Sequence, residues 1–192
     1  ARLLREGFVV VATDGEGLGT RGPAHYLIGE SEAHGLLDIA RAARELPGVG
    51  AGRRVALWGY SSGGHGVLFA AERAAEYAPE LELIGTAAVA PVVDVARFVG
   101  PVDDHPGFTF LTVGAWAAVH GVDRRSVFTV RASERLPRLR SECAFTLAFD
   151  WPLWRREDLV RFDLRTTEPW RSWLADELAG TDPVAGPLLV LH

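Results

Sequence analysis

The chain has 192 residues, 48% of them hydrophobic, and a formal net charge of −5 with acidic and basic residues interspersed. That length and apolar share support one sizeable core. The charge offers nothing to nucleic acid, and no apolar run is long enough to span a membrane, so a soluble small-molecule enzyme fits best. A single cysteine, Cys143, has no disulfide partner, and without a Cys/His cluster no metal site is read. The chain contains no Met; starting at Ala1 without one, it is expected to be processed or cut from something longer.

In chain order, Phe8, Val9, Val10, Val11 and Ala12 form a continuous apolar, β-branched run that predicts a strand. Asp14 to Gly19 then read as a turn, with Asp14 and Glu16 serving the loop. The loop continues through Pro23, His25 and Tyr26 to Ser31, the expected N-cap of a helix whose apolar face is Ala33, Leu36, Leu37, Ala40 and Ala43. Pro47 and Gly48 end it. Val55 to Trp58 predict a buried parallel strand, and 64–78 a helix closed by Pro79.

Between that strand and helix lies Gly59-Tyr60-Ser61-Ser62-Gly63, a nucleophile elbow in which both glycines stand where strand and helix come too close for a Cβ. Ser61 is thereby forced into the open at a helix N-terminus. A serine hydroxyl attacks only when a base takes its proton, and the resulting oxyanion needs preorganised N–H donors; the backbone N–H of Ser62 is the natural one. A third strand over 84–89 completes alternating units. These make an α/β fold with a parallel sheet and right-handed crossovers.

From Pro91 the rhythm changes. Pro101, Asp103, Asp104, His105 and Pro106 break the pattern, and helices are expected over 110–119, 133–147 and 167–178, with only a weak strand signal at 127–130. Residues 187–192 resume the style of a buried core strand. The expected organisation is a core over 1–90, a helical cap insertion over 91–182 and a core strand over 183–192. His65, on the same helix as Ser61, reads as a packing residue; His25 lies in a loop that could reach the site mouth, and His34, His105 and His120 read as surface or cap residues. Asp94, following a core strand, is a minor candidate for a catalytic acid. The pairs Trp151 with Trp154 and Trp170 with Trp173 read as cap packing ahead of an acyl pocket. Arg135, Arg138, Arg140, Arg155 and Arg156 read as a solvated face, and Cys143 as a small buried hydrophobe.

VVATDGEGLG, PAHYLIGESEAHGLLDIARAAR and WGYSSGGHGVLFAAERAAEYAPEL resemble stretches of the α/β-hydrolases, and within them the secretory lipase-like branch. AVAPVVD and GPLLVLH are similar to that branch's next two core strands. The resemblance implies a carboxylic-ester hydrolase acting on a small apolar ester or lipid through an acyl-enzyme on Ser61, with no cofactor, and it suggests secretion. It also implies an acid after LLVLH and a histidine after the following strand, both beyond His192, and a core strand between FVVVAT and RVALWG that this chain lacks. The expectation is thus a fragment, incomplete at both ends and inactive alone. A serine peptidase or acyltransferase, or a non-catalytic binding protein on the same scaffold, stay open as alternatives; oligomeric state is not read.

Overall fold

The computed structural model describes residues 2–100, 106–149, 151 and 154–192. Two units divide the chain: Ala1–Arg21, Leu27–Val93 and Ala179–His192 form the first, and Gly22–Tyr26 with Asp94–Leu178 the second. In sequence, nearly all of the second is inserted between two strands of the first.

The first unit contains α1 (Arg2–Arg5), α2 (Gly29–Glu45), β1 (Arg54–Tyr60), α3 (Ser62–Tyr77), β2 (Glu82–Val89) and β3 (Leu188–Leu191). The three strands pair in the order β1-β2-β3, all parallel, with Tyr60 opposite Val89 and Val89 opposite Leu191. All three therefore end at one edge. Strand periodicity sets what β1 buries: Leu57 and Gly59 are buried, whereas Ala56, Trp58 and Tyr60 are exposed. The buried face belongs to a core with Val67, Leu68, Phe69, Ala70 and Ala74 of α3, and Ala33, Leu37 and Ala40 of α2. Glycines let the two helices approach: a Cβ on Gly29 would run into the Phe69 ring, and one on Gly66 would meet Cβ of Glu32 at 3.0 Å. Arg73 adds ion pairs to Glu30 and Asp182, tying the return segment before β3 to α3.

Several expectations change here. Phe8 to Ala12 form no strand; a strand is defined by ladder hydrogen bonds, and this run has no ladder partner among the described residues, with Phe8, Val9, Val10 and Val11 all exposed. Ser31 is not the N-cap, because α2 begins two residues earlier and position 28 is Ile, without a capping side chain. Glu32 Oε1 instead accepts the Leu27 N–H (3.1 Å), and Ser31 Oγ donates to Glu16 Oε2 (2.7 Å). Thr13, not Asp14, supports the turn, its Oγ1 accepting the Gly15 N–H at 3.2 Å. β3 is present, but all four of its residues are exposed, since β2 is its one ladder neighbour among the described residues.

The second unit is helical: α4 (Val95–Phe98), α5 (Pro106–Val119), α6 (Arg124–Val127), α7 (Val130–Ser133), a 3-10 turn (Leu136–Arg140), α8 (Ala144–Phe149), α9 (Arg156–Leu159) and α10 (Trp170–Asp176). α5 is apolar and buried along most of its length, and its Phe110 ring lies 5.0 Å from that of Phe128 and 4.8 Å from that of Trp151. The helix expected over 133–147 is broken into pieces, because Pro137 lacks the N–H a continuing helix needs and sits in the 3-10 turn. The 127–130 strand reduces to one bridge, Phe128 to Val160. Trp151 and Trp170 are buried, as packing requires. Cys143 is exposed rather than buried, lying in the bend between the 3-10 turn and α8. Nor do the arginines form a simple solvated face: Arg135 stands over the rings of Trp151 and Trp154, and Arg138 grips Glu142 with two hydrogen bonds of 2.6 Å. Pro101, Asp103, Asp104, His105 and the side chain of Arg156 lie outside the described residues.

Candidate active site

β1 delivers Ser61 to the C-terminal edge of the sheet, where parallel α/β sheets bind ligands. The Ser61 N–H donates to the Val89 carbonyl at 2.9 Å, extending the β1–β2 ladder by one residue. The chain then reverses: Ser61 has φ 56° and ψ −117°, and α3 begins at Ser62. Its carbonyl accepts from His65 N–H (3.1 Å), the first helical bond, and from Val92 N–H (3.3 Å). Three hydrogen bonds thus hold a backbone conformation that costs a non-glycine residue about 1–3 kcal/mol. The half-buried side chain is held by none, since the Ser61 hydroxyl has no hydrogen-bond partner among the described residues.

The glycines around the turn differ in their jobs. A Cβ on Gly59 would collide with the carbonyl of Gly63 and come within 2.8 Å of the Gly64 nitrogen. Gly64 is also constrained, though less severely, its Cβ position lying 2.8 Å from Cα of Pro91. Gly63 is not: nothing lies within 4 Å of where its Cβ would be, so its steric reading is corrected. It contributes the carbonyl that requires glycine at position 59. Gly64 was legible in principle, since a glycine inside a helix costs up to about 1 kcal/mol and marks a close approach.

The Ser62 N–H stands in the first turn of a 16-residue helix and has no acceptor among the described residues. An oxygen anion beside Ser61 would meet this donor together with the positive end of the helix dipole. Ala90, just past β2, also has a positive φ of 43°, and its N–H donates to Leu191 O at 2.6 Å.

Two titratable candidates of this unit, His65 and His34, are committed elsewhere. His65 is fully buried, its Nδ1 2.8 Å from the Val92 carbonyl and its ring 4.8 Å from Phe69. A carbonyl only accepts, so Nδ1 carries a proton, and the ring is committed to holding the loop after β2. His34 stacks on Tyr77 at 3.9 Å with Glu30 at 3.6 Å from its Nε2. His192 follows β3 in register, at the same sheet edge as Ser61. In the second unit, Asp94 caps α4 by accepting the Arg97 N–H at 3.0 Å. His120 stacks on Trp173 at 3.7 Å, and burial, with the charge of His25 adding to it, holds its pKa below the ordinary imidazole value against the opposing pull of Glu177. Among the described residues no His, Cys, Asp or Glu cluster could hold a metal ion.

Residues 1–152 match a family described as secretory lipase. Lipase A of Moesziomyces aphidis is 33% identical over 126 residues, covering 65% of this chain and 24% of that protein. A probable inactive lipase of Mycobacterium tuberculosis is 37% identical over 96 residues, 49% of this chain and 21% of that one. The crystal structure of Candida antarctica lipase A superposes with a TM-score of 0.81 at 25% identity, over 98% of this chain and 46% of that one. The chain thus spans less than a quarter of the length of these two curated relatives, 24% and 21%.

Proposed function

The chain belongs to the secretory lipase family, with an α/β-hydrolase fold, and on that premise we propose that it carries the nucleophile of a carboxylic-ester hydrolase acting on apolar esters or lipids. Ser61 Oγ attacks the ester carbonyl, the oxyanion is held by the Ser62 N–H, the alcohol leaves, and water releases the acid from the acyl-enzyme. One observation carries this reading: a serine at positive φ, backbone fixed by three hydrogen bonds, hydroxyl unpartnered among the described residues, beside a free helical N–H. The Ser61 hydroxyl proton passes to a histidine, which gives it to the leaving alcohol. His34 and His65 are both committed elsewhere, so neither is that base. The insertion between β2 and β3 is assigned the place of the cap. The family's description also supports export, which would put the protein in the culture medium. No helix among the described residues is long and apolar enough to cross a membrane.

The test uses the natural gene product that carries this sequence. Ser61→Ala is expected to lower p-nitrophenyl ester turnover by about a thousandfold or more and to abolish fluorophosphonate labelling. Ser62→Ala, which keeps the backbone N–H, should stay within about tenfold of the parent. Full activity in Ser61→Ala sinks the assignment. A second reading, a non-catalytic binding protein, is favoured by the relative named an inactive lipase; a folded natural product that neither labels nor turns over would establish it.

A further inference from the structure

Within the second unit, the chain leaves α5 at Val119, turns through Gly121 and enters α6, and an open pocket of about 520 Å³ lies against this corner. Ala118, Val122 and Leu136 make its apolar wall over the fully buried Ala117, and Asp123, Arg124 and Arg125 its charged side. Arg124 is half-buried, and its Nε donates to the Gly114 carbonyl at 2.9 Å. That bond fixes the plane of the guanidinium while its two terminal nitrogens keep no acceptor among the described residues.

Other arginines in this unit hold carboxylates: Arg131 pairs with Asp158, Arg138 with Glu142 and Arg171 with Glu168. Arg124 and the neighbouring Arg140 pair with none among the described residues. Asp123, the acid in the pocket lining, accepts the Arg125 N–H at 3.0 Å as the cap of α6. Burial, and secondly the charge of Arg140, hold Arg124 below the ordinary guanidinium pKa. A partly desolvated guanidinium whose terminal nitrogens have no acceptor among the described residues is costly and is relieved by a bound anion.

We propose that this pocket binds an alkyl carboxylate, the head group on the Arg124 fork and the chain along Ala118, Val122 and Leu136. A guanidinium fork matches two coplanar oxygens, and the three partly exposed apolar residues give an alkyl chain a surface that a bare inorganic anion would leave unused. The site stands apart from the Ser61 reading, although ester hydrolysis releases an acid of this class; the ligand is bound, not converted.

The experiment is calorimetric titration of the natural gene product with octanoate, octanol and acetate. Octanoate is expected to bind about tenfold or more tightly than either of the others. Arg124→Gln, which removes the fork, should weaken octanoate binding about tenfold or more. Ala118→Phe, which fills the pocket, should weaken it with Arg124 in place. Ser61→Ala should bind octanoate as the parent does, so a failed hydrolase assignment leaves this result intact. Equal affinity for octanol and octanoate, or for acetate and octanoate, overturns the proposal. So does unchanged octanoate binding in both Arg124→Gln and Ala118→Phe.

Discussion

Ser61 bears a Cβ at φ 56°, where glycine would rest without strain, and that gives the nucleophile assignment a stability signature separate from activity. Ser61→Ala and Ser61→Gly both lose the hydroxyl, but only glycine relieves the backbone, so Ser61→Gly should be more stable than Ser61→Ala by about 1 kcal/mol. Denaturant melts of the two variants decide it; equal midpoints would mean the turn is unstrained. The flanking glycines should split in the same assay. Gly59→Ala drives a Cβ into the Gly63 carbonyl, backbone against backbone, and is expected to cost about 3 kcal/mol. Gly63→Ala has open space around its new methyl and, lying in a helix, should gain about 0.5–1 kcal/mol. The elbow itself was legible, because a glycine, two intervening residues and a glycine around a serine follow from the geometry of a strand–turn–helix. Which glycine is sterically required was not, since that depends on where the Gly63 carbonyl and Pro91 fall in space.

The packing of α2 on α3 rests on a contact that no periodicity shows: Gly29, at the start of α2, faces the ring of buried Phe69. Gly29→Ala is expected to destabilise by about 1–3 kcal/mol by pushing on that ring, which also packs against His65. Combining it with Phe69→Leu should cost less than the sum of the two single changes; strict additivity in thermal melts would show that the two residues do not press on each other. Elements with local determinants were readable throughout. The apolar spacing of Ala33, Leu37 and Ala40 yielded α2, and the continuous runs ending at Trp58 and Val89 yielded β1 and β2. Phe8 to Ala12 failed for the opposite reason, since strand formation depends on a ladder neighbour and not on the run alone. The 133–147 segment is interrupted at Pro137, whose missing N–H overrides the helical spacing around it. Cys143 was misplaced because burial propensity cannot see that a residue lies in a bend.

On the scale of the whole molecule, α3 packs on one face of the three-stranded sheet and α2 packs on α3, whereas parallel sheets are stable with both faces covered. Trp58 is 69% exposed and Tyr60 60%, on the β1 face opposite Leu57, and every residue of β3 is exposed. Phe8 to Val11 add a further exposed apolar run. An apolar surface of this kind drives association. A polypeptide confined to residues 1–192 should therefore bind 8-anilinonaphthalene-1-sulfonate strongly and sediment as more than a monomer. It should also hydrolyse a short-chain p-nitrophenyl ester near background, because His34 and His65 are committed elsewhere and the Ser62 N–H is the one oxyanion donor identified among the described residues. The two halves of this prediction are separable. A monodisperse monomer that leaves the dye dark would show that the exposed faces are covered in solution. Rapid turnover abolished by Ser61→Ala would show that the base lies within these residues, and His192, which follows β3 at the edge where β1 delivers Ser61, is the first to replace.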